Sequence, residues 1–302
     1  MQPGSRPSRP LLGRLPHLLD RAGEYHRLMR TNLLCRVLAA LLATSGTALA
    51  QSNILCTPIQ PAPHLEAALT VDLGSVQSGD AVAFLAGRTI DCPKCELAGA
   101  QLQHRNLDGA DLTGAVLTGA SLFGANLIKA KLDGAMLPGA NLGRANLGKA
   151  SLVGANLSGA ILVRADLMAA NLAGADLRQA RLQNARVMSG RIDDADFEGA
   201  IAAGANFSET YGLHASFRLA NLTGTQFNGA ILRDANLEHA GMSNADLTSA
   251  DLTSVKGFNV DLAGATLRDT ALINADIRDA RLYAADLACT VLTNATIGPA
   301  PG

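Results

Sequence analysis

Starting at Glu96, apolar and polar positions follow a period of five that runs without insertion or deletion through 41 pentads, centred on positions 97, 102, 107 and onward to 297. Twenty-nine of these centres are Leu, and nine more are Val187, Ile192, Phe197, Phe207, Phe217, Phe227, Met242, Ile277 and Ile297, so that Ala202, Gly212 and Gly257 are the exceptions. Two residues before the centre, Ala stands at 32 of the 41 positions. A period of five matches neither the 3.6 of a helix nor the 2.0 of a strand. An internal repeat this short predicts a solenoid. Upstream of it, Asp80 to Gly87 reads as a short helix that leads into Cys92-Pro93-Lys94-Cys95, immediately before the first pentad.

Stretches such as Ala125-Asn126-Leu127, Ala165-Asp166-Leu167 and Ala245-Asp246-Leu247 resemble the A-(D/N)-L-x-x signature of the pentapeptide-repeat family. The resemblance covers about two thirds of the chain. It implies an all-β solenoid, a right-handed quadrilateral β-helix in which each pentad forms one side and four pentads make a 20-residue coil, with the centre and the preceding Ala pointing inward. Forty-one pentads would give about ten coils, and at about 4.8 Å per coil a tower roughly 50 Å long. A cysteine pair just before the first repeat is similar to an arrangement found in many members of that family.

Residues 20 apart should then stack as cross-strand neighbours. Arg178, Glu198, Arg218 and Glu238 alternate in sign, Asp111 falls beneath Lys131, Lys256 beneath Asp276, and Asn106, Asn126 and Asn146 form an amide column. Inside, Phe197 and Phe217 fall on one side and Phe207 and Phe227 on the opposite one, while the sides between carry the small centres Ala202 and Gly212. Such exchange of volume is what close packing requires. Gly212 and its neighbour Tyr211 also mark a local irregularity, where a bulge is expected.

Composition adds that 48% of the chain is apolar but 3% aromatic, without Trp, so the core is built from Leu and Ala. The formal charge of -1 conceals a split: residues 1–50 hold seven Arg against Asp20 and Glu24, leaving 18 basic and 24 acidic residues beyond. Arg30 and Arg36 precede the 14-residue stretch Val37 to Ala50, which ends in Ala48-Leu49-Ala50 before Gln51. This is the order of a secretory signal peptide cut after Ala50. Met29 as the true start would give it a short basic front, and an uncleaved amphipathic N-terminal helix is the alternative. The domain reading is therefore 1–50 signal peptide, 51–95 N-terminal cap segment and 96–300 repeat, with a periplasmic or secreted location and no membrane span after cleavage.

Four cysteines follow the leader. In an oxidising compartment Cys92 to Cys95, or Cys56 to one of them, would form a structural bridge that pins the cap. A redox, zinc or haem role lacks its context, since no βαβ unit, no second ligand pair and no His in place of Glu96 is present. Cys289 falls at an outward position in the last full coil. A solenoid must protect its ends. At the C-terminal end, Thr296 to Gly302 offers no capping helix, its prolines blocking strand addition, or that surface pairs two copies as a homodimer.

Candidate chemistry on the walls is sparse. The column Asp194, His214, Asp234 and Ser254 sets a His between carboxylates, an arrangement that raises a His pKa or binds a divalent metal, against the plainer reading of a surface charge ladder. Lys129, Arg144, Lys149 and Arg164 cluster along the corner shared by two adjacent sides, a basic patch suited to a phosphate or an acidic protein, or simply a solvated face. Asp193, Asp194, Asp196 and Glu198 are compensated by Arg178 and Arg191. No catalytic or metal site and no cofactor is expected. The first functional expectation is a non-enzymatic exported scaffold that presents a rigid surface to a protein or cell-envelope partner, with no nucleic acid. The alternative is a DNA-mimicking gyrase protection protein of the quinolone-resistance type, as some pentapeptide-repeat proteins are. Its weakness is a repeat region with 16 basic and 20 acidic residues. A hydrolase using His214 ranks last.

Overall fold

A computed structural model describes residues 81–299. The leader, Met29, Cys56 and the first part of the expected cap lie outside the described residues. Helix α1, Ala81–Leu85, opens the described chain. From Glu96 the chain then returns to the same side every 20 residues, each residue before a centre bridging its counterpart one coil on in parallel, from Glu96 with Val116 through Ala271 with Val291. Only the last such pairing lengthens into strands, β1 Asp276–Arg278 and β2 Thr296–Gly298, joined in parallel with Ile277 opposite Ile297. Elsewhere the strand is one bridging residue long, because a turn closes every fifth residue and leaves no room for more.

The reason for a five-residue side emerges from where its backbone donors go. In the pentad from Ala125 to Lys129, Leu127 N–H donates to Asn146 O in the next coil, Lys129 N–H to Gly148 O, and Asn126 N–H to Arg105 O in the coil before. Ala130 N–H turns back onto Leu127 O. This leaves the N–H after the centre, that of Ile128, without a backbone acceptor, and the Asn126 side chain takes it at 3.3 Å. The same side-chain acceptor recurs from Asp111 on Thr113 to Asp286 on Ala288. Where the signature places Asn or Asp before the centre, that side chain is thus the fifth hydrogen bond of its side. The turn itself places its third residue at positive φ, +54° to +68° at every fifth position from 94 to 294, as a type II turn does.

The centres and the preceding Ala residues form one continuous buried core from Cys92 to Ile277. Where Thr replaces Ala, the hydroxyl is bonded inside: Thr210 to Phe207 O at 2.8 Å, Thr225 to Ala202 O at 3.1 Å and Thr270 to Leu247 O at 2.7 Å. Phe197 stacks on Phe217 with ring centroids 4.8 Å apart and Phe207 on Phe227 at 5.2 Å, and the two columns meet edge to face at 5.6–5.8 Å. The four rings fill the section that Ala202 and Gly212 vacate. A Cβ on Gly212 would come within 2.8 Å of both Ile192 Cγ1 and Leu232 Cδ2, which close over it from the coils on either side.

That closure corrects the expectation of a bulge at Tyr211 and Gly212. Tyr211 bridges Arg191 and Ile231 in unbroken register. Tyr211 has no carboxamide to accept the Leu213 N–H, but Asp193 in the coil before accepts it at 3.0 Å. Asp133 serves Val153 in the same way at 2.9 Å. The acceptor can therefore come from the neighbouring coil, and the turn keeps its geometry.

The two ends of the repeat differ. Phe84 of α1 is buried with Cys92, Cys95 and Leu97, and Arg105 donates to Phe84 O at 2.8 Å while its guanidinium lies 4.9 Å over the Phe84 ring. In the last coil Leu287, Leu292 and Ile297 are 37%, 39% and 47% exposed, whereas every centre up to Ile277 is buried.

Candidate functional site

Every residue of the His column sits at the positive-φ turn position: Asp194 at +56°, His214 at +56°, Asp234 at +56° and Ser254 at +59°. Asp and His are among the non-glycine residues that adopt this conformation most readily, which gives the column a backbone reason independent of chemistry. His214 Nδ1 lies 3.3 Å from Asp194 Oδ1, with both side chains largely in solvent. Asp234 continues the column through its backbone, donating to Thr253 O.

The four basic residues are placed differently from the sequence expectation of one corner. Lys129 and Lys149 stack at one turn, Arg144 and Arg164 at the turn before it, and all four have φ between +55° and +59°. The two columns bound a single side of three coils, whose outward residues are Asn126 and Ile128, Asn146 and Gly148, then Asp166 and Met168. Sequence spacing obscured this because residues five apart stand at successive turns, and only residues 20 apart share one. All four side chains are exposed. Between them a depression of about 210 Å³ lies over Gly148, walled by Ile128 and Met168 and flanked by both lysines. This feature was missed in the sequence; its signal is a Gly between two larger apolar residues at a position with no need of positive φ.

Elsewhere the charges answer one another. Arg191 pairs with Asp193 at 2.8 Å, Arg178 with Asp176 at 2.6 Å and more distantly with Asp196 at 3.8 Å, and Glu198 with Arg218. The expected column Arg178, Glu198, Arg218 and Glu238 is therefore only partly used. Asp111 meets Lys131 at 3.7 Å, whereas Asp276 turns from Lys256 to Arg278 at 2.6 Å. Hydrogen bonds from the Arg178 and Arg278 guanidiniums hold the Asp176 and Asp276 carboxyls below the usual carboxylate range, against the opposing effect of burial. Asn126 Nδ2 donates to Asn106 Oδ1 at 2.8 Å in the amide column.

Cys92 and Cys95 sit side by side and fully buried under α1, their Cα atoms 5.4 Å apart, in disulfide geometry. Cys289 is free and exposed. Among the described residues no helix is long and apolar enough to cross a membrane, and no His, Cys, Asp and Glu side chains gather in threes around a position for a metal ion.

Comparison with known proteins follows this geometry. The sequence model of the family described as pentapeptide repeats matches in eight copies, at residues 95–134, 125–162, 150–187, 191–229, 215–253 and 258–297. No curated protein matches the chain by sequence. Among solved structures the chain is similar to HetL, a pentapeptide repeat protein involved in heterocyst differentiation regulation from the cyanobacterium Nostoc sp. strain PCC 7120, at 27% identity over 72% of this chain and 94% of that one, with a TM-score of 0.42. It is also similar to the pentapeptide repeat protein Rfr23 of the cyanobacterium Cyanothece 51142, at 17% identity over 37% of this chain and 90% of that one, TM-score 0.36. A third is QnrB1, a plasmid-mediated fluoroquinolone resistance protein, at 16% identity over 59% of this chain and 91% of that one, TM-score 0.28.

Proposed function

Because the chain belongs to the pentapeptide-repeat family, we propose that it is a non-enzymatic, exported scaffold: a right-handed quadrilateral β-helix whose walls present a rigid pattern of side chains to a protein or cell-envelope partner. The observation that carries this reading is the unbroken 20-residue ladder. It uses the Asx side chains to complete the backbone and the His column to make turns, and it leaves surface rather than a pocket with converging acid, base and nucleophile. A wall whose side chains repeat at fixed spacing suits extended recognition.

Export rests on the leader sequence and on the paired Cys92 and Cys95, which in an oxidising compartment form a bond that closes the turn just before the first pentad. The exposed centres Leu287, Leu292 and Ile297 give a second copy of the chain a face to cover at the C-terminal coil.

Fractionation of cells followed by N-terminal sequencing and intact mass tests the reading. The expected species starts at Gln51 in the periplasmic or secreted fraction, with two hydrogens fewer than the fully reduced chain. An intact cytoplasmic chain would replace export with the DNA-mimicking gyrase protection reading. That alternative stands second because carboxylates such as Asp166, Asp193, Asp251 and Asp261 are each engaged by an Arg, which weakens any resemblance to a row of phosphates. Turnover of any substrate abolished by His214→Ala would overturn the non-enzymatic reading itself.

A further inference from the structure

We propose that the side of the coils bounded by Lys129 and Lys149 at one turn and by Arg144 and Arg164 at the other docks an extended acidic peptide segment of a partner protein, with an apolar side chain of that segment seated over Gly148. The inference rests on the scaffold reading and names its partner chemistry.

The four cations stand where the backbone favours glycine. Ten of the sixteen turn residues between positions 99 and 174 are Gly, the residue that positive φ favours, and four of the other six are these cations. A long side chain in that conformation costs about 1 kcal/mol or more relative to Gly. Neither Lys nor Arg has the short polar group that lets Asn or Asp bond locally there. Backbone placement therefore does not account for them.

Their charges are also unmatched. Lys131 and Arg186 on neighbouring coils pair with Asp111 and Asp166, but among the described residues none of the four turn cations has an ion-pair partner. Asp166 on the floor is already neutralised by Arg186 at 3.0 Å. Four unmatched positive charges thus frame one side within three coils.

The side they frame has an apolar hollow. Gly148 stands at the second residue of its turn, where φ is not positive, and the equivalent residues one coil away on each side are Ile128 and Met168. Nothing in the backbone requires Gly there. Its missing side chain opens the depression of about 210 Å³, and Met168 beside it is 41% exposed. Asn146 uses its Oδ1 on the Gly148 N–H at 3.1 Å, which leaves its Nδ2 to donate to a peptide carbonyl. Carboxylates for the cations, a carbonyl for Asn146 and an apolar side chain for the depression are all supplied by a peptide. A phosphodiester chain has no use for the apolar seat, and no aromatic ring is offered for base stacking.

The test uses the full chain and a fluorescein-labelled decapeptide of alternating Glu and Asp with one central Leu, measured by anisotropy at 0.15 M salt, beside the same peptide with Ser for Leu. Duplex DNA of 20 base pairs and phosphatidylglycerol vesicles serve as competing probes. The variant Lys129→Gly, Arg144→Gly, Lys149→Gly, Arg164→Gly installs the residue its turns favour, so its Tm should match or exceed the parent's while peptide affinity falls at least tenfold. Gly148→Met should weaken the Leu peptide about fivefold and leave the Ser peptide unchanged. Peptide binding that is absent, or unaltered in the four-Gly chain, overturns the proposal. Preference for DNA or for vesicles, lost in the four-Gly chain, overturns it in favour of a phosphate reader. Crosslinked capture of an envelope protein equally by both chains overturns it while leaving the scaffold reading intact.

Discussion

At the scale of single residues, the repeat is a solution to hydrogen-bond accounting. A pentad that carries the signature leaves one backbone N–H that no carbonyl reaches, and the Asn or Asp before the centre supplies the acceptor, as Asn156 does for Ser158 at 3.0 Å. Asn156→Ala should therefore cost about 1 kcal/mol in denaturant unfolding, the worth of one hydrogen bond, and Asn156→Asp much less, since either carboxamide or carboxylate oxygen accepts. Equal losses for the two substitutions would sink this account. The signature was legible in the sequence as a pattern, but its cause was not, because the spare N–H is defined by which carbonyls lie 19 and 21 residues away. His214, weighed in the sequence as a pKa-shifting or metal site against a surface charge ladder, stands at φ +56°, a turn position that the spacing alone did not disclose.

At the scale of the element, a coil is a fixed cross-section shared by four sides. Sequence reasoning placed the Phe residues on opposite sides correctly because centres ten apart must face each other in a 20-residue coil. It failed in expecting a bulge at Gly212, since Ile192 and Leu232, one coil away on either side, close over that glycine. Restoring the consensus there should consequently do harm: Gly212→Leu inserts a side chain where a Cβ alone would meet neighbours at 2.8 Å, and a destabilisation of about 2 kcal/mol or more is expected from thermal or urea unfolding. An increase in Tm would show that the section had been underfilled. The basic residues make the parallel point for the surface. Their clustering was legible, but their division between two turns around one side required the stacking register.

For the repeat as a whole, charge is organised as local Arg–carboxylate pairs on the walls. Arg178 and Arg278 lower the pKa of Asp176 and Asp276, so these carboxylates contribute stability that is present above the unfolded carboxylate pKa and is lost as pH falls through the folded value. The melting temperature should be level above about pH 5 and decline below about pH 4. In the Asp176→Asn, Asp276→Asn chain the plateau should be slightly lower and the decline shallower. Exposure keeps the contribution of each pair small, and 0.5 M salt should narrow the difference between the two chains. Identical acid profiles at low salt would remove these pairs from the stability of the fold.

The ladder also has a mechanical meaning. All its inter-coil hydrogen bonds run parallel to the stacking direction, so tension applied to the two ends of the repeat opens one coil's bonds while the rest remain unloaded in shear. Such a body yields by peeling. Each coil that lets go pays out 20 residues of chain, about 65 Å when extended, in exchange for one layer about 4.8 Å thick. A scaffold with this grain stretches in small repeated steps at low force, and it can surrender a terminal layer while the remaining wall keeps its pattern.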